Sequence, residues 1–276
     1  MSTNVLDSAR DRTRRASWLQ AFARLYRKDL EMMQFSTLLL GLLIAAWEIF
    51  LLTRVTVWRP GTPLALSFLP LMFLPVWLIW DAVQSYRAEW QAGTVYFLLA
   101  APVRGWVIAA AKLAALMTSF TALALLTGGG SLAILATGRG LPPSLADVWG
   151  QMPRQALVST TFAGVVAYWL GALGTAVLFQ AASAASHLAF RWRFPALVGS
   201  VVVAYWLLWR LGGLGHYLLG WLPDLPVPVV QVGPEGIRYV SDAVFLDSGP
   251  VVGWLVGLVL LFWLTGWLLQ HVLEVA

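Results

Sequence analysis

The chain has 276 residues, 59% of them hydrophobic and only 11% charged, with 16 Trp; about a quarter charged is usual for soluble domains, so a soluble globule of this size is excluded. Apolar runs recur from residue 36 to residue 270 without a long polar interval, which leaves no room for a separate soluble catalytic domain. The net charge of +5 is gathered at the edges of the apolar runs, where anionic lipid head groups rather than nucleic acid are the expected counter-charge, and the lack of Cys excludes disulfides, thiolate metal sites and thiol catalysis.

Residues 1–35 form a charged N-terminal segment. Arg10, Arg12, Arg14 and Arg15 are followed by no short apolar core with a small-residue cleavage site, so the segment is expected to be retained and the first true span to act as the anchor. From Trp18 to Met33, the residues Trp18, Phe22, Leu25, Tyr26 and Met33 fall near helical spacing, while Arg24, Arg27, Lys28 and Glu31 cover the other side. That stripe predicts an amphipathic helix lying in the head-group plane. A helical cap packed on cytoplasmic protein needs the same stripe and is the alternative.

Residues 36–276 are expected to form one membrane domain, all-α and polytopic. About 20 apolar residues are needed to cross roughly 30 Å of hydrocarbon as a helix, and six stretches qualify: 36–53, 64–83, 106–136, 156–181, 195–212 and 250–270. The third is long for one crossing, and Gly128, Gly129 and Gly130 mark a place where it is expected to bend or unwind. Between the last two spans, residues 213–249 mix apolar residues with Pro223, Pro226 and Pro228. A short re-entrant hairpin and a surface loop with aromatic anchors fit this outer segment equally well.

Orientation follows from the basic residues, which favour cytoplasmic loops. Of 18 Lys and Arg, twelve lie on one side: seven in the N-terminal segment, Arg87, Arg104 and Lys112 around the loop after span two, and Arg191 and Arg193 after span four. The N-terminus is therefore expected in the cytoplasm, and six crossings return the C-terminus to the same side.

Residues able to carry chemistry are few. His187, His216 and His271 lie in different segments with no paired-carboxylate or H-E-x-x-H pattern, and the Gly128 triplet lacks the Lys of a phosphate loop. No catalytic residue, metal site or resident cofactor is expected. An ionisable side chain within a span is costly and tends to face a cavity or a partner, which singles out Glu48 in span one and Asp81 in span two as candidate pathway residues. The pairs Gly253/Gly257 and Ala167/Gly171 predict close helix approach.

The most informative stretch is the connection 84–105 and its continuation to Lys112, QSYRAEWQAGTVYFLLAAPVRGWVIAAAK. It resembles the loop between spans two and three of ABC-2 type permeases, the membrane subunits of ATP-binding-cassette exporters, in which an acidic residue, a Gly-Thr, a Leu-rich helix, a Pro and a basic residue entering span three follow in order. Glu89, Gly93, Thr94, Leu98, Leu99, Pro102, Arg104 and Lys112 match that order, and the six-span layout extends the likeness to nearly the whole chain.

The resemblance implies that Tyr86, Arg87, Glu89, Trp90, Gly93 and Thr94 contact a separate nucleotide-binding ATPase subunit as a coupling helix. It implies a second contact through Trp18, Phe22, Arg24, Arg27 and Lys28. It further implies two ATPase copies carrying ATP and Mg, a second permease copy or a homologous permease, a location in the inner (cytoplasmic) membrane, and export of an amphipathic or lipid-like substrate. The alternative of another class is an ion-coupled secondary transporter or channel using Glu48 and Asp81; duplicated halves would favour it, and spans one to three show no convincing match to spans four to six. A noncatalytic membrane scaffold is a third reading, which leaves the coupling loop without a role.

Overall fold

The computed structural model describes residues 3–91, 103–138, 150, 154–187, 189, 192–233 and 236–271, with the backbone alone at 3–17, 156, 225–246 and 271. In chain order these form α1 (Thr3–Arg54), α2 (Thr62–Ser67), α3 (Leu69–Gln91), α4 (Gly105–Ala136), α5 (Arg154–Ser186), α6 (Arg193–Leu219), β1 (Leu225–Gly233), β2 (Gly236–Leu246) and α7 (Ser248–His271). Six stretches are helical, long and apolar enough to cross a membrane: Trp18–Arg54, Thr62–Gln91, Gly105–Ala136, Leu157–Ser186, Arg193–Leu219 and Ser248–Gln270. Each of the six expected spans lies within one of them or differs from it by a residue or two.

Three expectations are corrected. The first concerns the separate interfacial helix, because Trp18–Met33 and span one belong to one continuous 52-residue helix. No Pro occurs before residue 60 and no Gly before Gly41, so nothing breaks the backbone between the two parts. At 1.5 Å per residue α1 is about 78 Å long, more than twice the hydrocarbon thickness. Its apolar stripe covers the chain's own helices: Tyr26, Leu30 and Met33 join the main core with Leu78, Ala82, Leu116 and Phe120, and Tyr26 Oη lies 3.0 Å from Thr118 Oγ1 of α4.

The second correction is at the glycine triplet, where α4 runs unbroken from Gly105 to Ala136. Packing on several sides supports it: 61% of its apolar window is buried, against at most 39% for any other span, so α4 is the central post of the bundle. The third concerns the connection after span two. Gln84–Gln91 is the last two turns of α3 rather than loop, since no Gly or Pro follows Pro75 until Gly93. Residues 92–102, including Gly93, Thr94 and Pro102, lie outside the described residues.

The outer segment begins as helix, with α6 reaching Leu219, and continues as an antiparallel β-hairpin, Leu225 pairing Leu246 and Gly233 pairing Gly236. Val-rich sequence favours strand here, and the register shifts between Val227 and Val229, around Pro228, which has no N–H to give the ladder. The described residues are otherwise helical. At the same end of the bundle His216 Nδ1 of α6 pairs with Asp247 Oδ2, while Asp247 Oδ1 accepts the Gly249 N–H at 2.8 Å and caps α7. The Asp247 carboxyl is held below the usual carboxylate range, first by the His216 hydrogen bond and then by the Gly249 N–H.

Small residues do set one helix contact. A Cβ on Gly253 would stand 3.0 Å from Gly215 Cα and 3.1 Å from the Leu211 carbonyl carbon, whereas one on Gly171 would meet nothing within 4 Å. The Gly253/Gly257 pair therefore seats α7 on α6, while the Gly171 face is open within the chain. Gly253→Ala is expected to destabilise the protein by about 1–3 kcal/mol, because rigid backbone cannot yield to the new methyl. Gly171→Ala, the control, leaves the thermal unfolding midpoint in detergent unchanged or slightly raised.

Candidate functional site

At the end of the bundle formed by the N-terminal part of α1, the end of α3 and the start of α4, four charged side chains alternate in sign. Lys112 enters from α4 with only 1% of its side chain exposed. Its Nζ lies 3.0 Å from Glu89 Oε1 of α3 and 3.2 Å from Asp29 Oδ1 of α1, and it donates to the Ser85 carbonyl at 3.1 Å. Its fourth neighbour is the ring of Tyr86, whose centroid is 5.4 Å away. Lys28 of α1 closes the series by donating to Glu89 Oε1 at 2.8 Å, with 40% of its side chain exposed. Two cations and two carboxylates make the group neutral, as buried charge requires.

The sequence places these residues by simple spacing. Asp29 follows Tyr26 by three residues and precedes Met33 by four, so it lies on the apolar stripe of α1 that packs inward. Ser85 and Glu89 are one turn apart on the face of α3 that also buries Leu78 and Ala82. Three helices are thus tied together at one point by charge-assisted hydrogen bonds. Rotation or sliding of the end of α3 has to break them together.

Beside the network is a small cavity of about 100 Å³ between α1 and α3, lined by Asp29, Ser36, Asp81, Gln84 and Ser85 among others. Asp81 is buried, with Ser36 Oγ 3.4 Å from its Oδ2. Glu48 is elsewhere in the bundle. It lies on α1 between Ile44 and Leu51, is 4% exposed, and neither carboxylate oxygen has a hydrogen-bond partner among the described residues. Its neighbour on α4 is Gly130, where an added Cβ would stand 2.6 Å from Glu48 Oε2. The triplet read as a bend makes room for a carboxylate instead. Glu48 and Asp81, grouped by sequence reasoning as one pathway, are not brought together.

The remaining residues of the expected coupling segment divide between inside and outside. Tyr86 and Glu89 are buried and Arg87 is exposed. Trp90 is half-buried and stacks on His187, at the end of α5, with ring centroids 4.6 Å apart and planes 13° from parallel. Burial, and after it Arg193, lowers the His187 pKa to about 4, so the imidazole is neutral at physiological pH and stacks as an uncharged ring. On α1, Trp18 is partly exposed and 5.8 Å from Trp106, Phe22 stacks on Tyr26, Arg24 is exposed, and Arg27 pairs with Glu31 at 2.9 Å.

Asp29 is the functional-site residue that sequence reasoning missed, and an acid on an otherwise apolar helix stripe was the signal available. By sequence Lys112 reads as the basic residue entering span three, and nothing local marks it as the centre of a network. Among the described residues no group of three or more His, Asp or Glu is placed to hold a metal. Compared with protein families, with characterised proteins and with solved structures, the chain matches none.

Proposed function

We propose that this chain is the membrane-embedded permease subunit of an exporter of the ABC-2 type, driven by ATP hydrolysed on separate ATPase subunits. The observation that carries the reading is the charge network. It ties Tyr86–Gln91, the start of the expected coupling segment, to α1 and to the central helix α4 through Glu89, Lys28, Asp29 and Lys112. A push on the end of α3 is then delivered to the bundle as a rigid displacement rather than lost in a flexible loop. Arg87 and the exposed edge of Trp90 face the ATPase, and the resemblance adds Gly93 and Thr94, which lie outside the described residues, to the same contact; Glu89 is a positioning residue.

In this scheme two ATPase copies bind ATP and Mg, close on each other, and move the coupling segments of two permeases. The second permease is another copy or a homologous chain. The N-terminal part of α1, with Trp18, Phe22, Arg24, Arg27 and Lys28, lies in the cytoplasm and forms a second contact or rests on lipid at the interface. The cargo is amphipathic or lipid-like, and the assembly is in the cytoplasmic membrane with both termini inside.

A second reading, ion-coupled transport, is favoured by one observation: Glu48 is buried in an apolar span without a partner among the described residues, where ionisable groups commonly serve a transport step. One experiment separates the two. The tagged chain is purified in mild detergent, and Mg-dependent ATPase activity of the eluate is compared between wild type and an Arg87→Glu, Thr94→Ala double variant. An ATPase that co-elutes with wild type and falls severalfold in the variant supports the exporter, whereas a single-chain preparation without ATPase overturns it in favour of ion coupling.

A further inference from the structure

Of the six spans, α6 is the least covered, with 11% of its apolar window buried. Against its open face and that of α7 runs a groove of about 990 Å³, walled by Trp206, Trp209, Leu214, Tyr217, Leu260 and Leu264 and interrupted by one charge, Arg210. The Arg210 guanidinium lies 5.3 Å from the centroid of Trp206, one turn back along α6, so it points towards the middle of this 27-residue helix and away from its Leu219 end. The Arg210 Cα is about 14 Å from the Leu219 end of α6, and its head, drawn back towards Trp206, lies deeper still. No acidic partner faces it among the described residues.

A guanidinium at mid-span does not belong against hydrocarbon chains, and the aromatic face beneath it offsets only part of the cost. Nor does a second copy of the chain offer a carboxylate at that height among the described residues. Glu48 and Asp81 are buried within their own bundle, Asp29 and Glu89 are held by Lys112, Glu31 is held by Arg27, and Asp224 and Asp247 lie beyond the far end of α6. The complementary occupant is an anion that carries its own apolar chain. Its head would pair with Arg210, and its chain would lie along the Trp and Leu wall, in a volume at the upper end of that of small-ligand pockets.

We infer that the α6–α7 groove recognises the anionic head of an amphiphile in transit, with Arg210 as the residue that selects for charge. The inference rests on the export reading, since it names the class of cargo. Arginine presents a planar fork of donors suited to phosphate or carboxylate, and Trp206 holds that fork in place from below.

The test measures binding without transport. The chain has no Cys, so Leu214→Cys gives a single site for an environment-sensitive fluorophore on the groove wall. In nanodiscs of zwitterionic lipid the labelled protein is titrated with dodecyl phosphate, dodecyltrimethylammonium and dodecyl maltoside, which share a chain and differ in head charge. Dodecyl phosphate is expected to half-saturate the signal at a concentration about tenfold lower than the other two, the range of one charge-assisted contact. Arg210→Gln is expected to abolish the preference and Arg210→Lys to keep most of it, both with the unfolding midpoint of wild type. Equal affinities in wild type, or a preference that survives Arg210→Gln, would overturn the inference. So would complete disulfide cross-linking of unlabelled Leu214→Cys between copies that dodecyl phosphate fails to prevent, since that face would then be a permanent interface. Loss of the co-purifying ATPase bears on the export reading alone, and a negative titration bears on the groove alone.

Discussion

Lys112→Met is expected to lower stability by about 3–5 kcal/mol, because it removes the cation that compensates two buried carboxylates while leaving both in place. Lys112 pairs directly with Asp29 and Glu89, whereas Lys28 pairs directly with Glu89 and acts on Asp29 only at longer range, so Asp29 loses its one direct ion pair among the described residues. The readout is the thermal unfolding midpoint of detergent-solubilised protein followed by size-exclusion fluorescence, supported by the yield of membrane-inserted chain. The neutral triple variant Asp29→Asn, Glu89→Gln, Lys112→Met is expected to recover much of the loss, since hydrogen-bonded neutral groups of similar volume replace the ions. A single variant as stable as wild type would show that the network is not a structural tie and would remove the physical basis for transmission through the end of α3. On the export reading, a triple variant that is stable and still binds an ATPase subunit but exports poorly would show that the charges serve coupling beyond mere integrity.

Glu48→Met is expected to change stability in the opposite direction, by about 1–3 kcal/mol of stabilisation. A buried polar group without a hydrogen-bond partner carries its desolvation cost uncompensated, and Met occupies a similar volume beside Gly130 with a flexible, apolar chain. The same unfolding assay decides it. A fall instead of a rise would mean that the carboxyl finds a partner in the assembled protein, from a second copy or from cargo. The variant also bears on the two proposed readings: if transport is retained with higher stability, Glu48 is a tolerated defect of the α1–α4 contact, while loss of transport in a stable protein assigns it a working role. Gly130→Ala is expected to displace the Glu48 side chain, because the added methyl falls where the carboxylate now lies.

The spans were legible in the sequence because their cause is one-dimensional. Crossing hydrocarbon demands a run of about 20 apolar residues, and the six runs are separated by Gly, Pro and charged residues that any reader can count. Helix boundaries were less legible where the sequence is polar yet lacks a breaker. Gln84–Gln91 reads as loop by hydropathy but continues α3, since hydropathy reports burial in lipid and not backbone conformation. The same confusion separated Trp18–Met33 from the span that follows it. At 225–246 the prolines speak for a loop, yet the Val-rich segment forms an antiparallel hairpin, with Pro228 at the irregularity in its register.

Length, apolar periodicity and charge distribution by themselves determined a helical chain with six apolar helices of spanning length and the short list of charged residues lying within them. Tertiary packing alone decided which of those residues meet. Lys112 and Asp29 are 83 positions apart and Lys28 and Glu89 are 61 apart, and no local pattern specifies the rotation of α1, α3 and α4 that brings all four to one point. The same packing put Glu48 against Gly130 and left Asp81 beside a different cavity. A span is set by its own transfer from water, one residue at a time, whereas a charge network is set by the relative turn of three helices, which depends on every side chain in their interface.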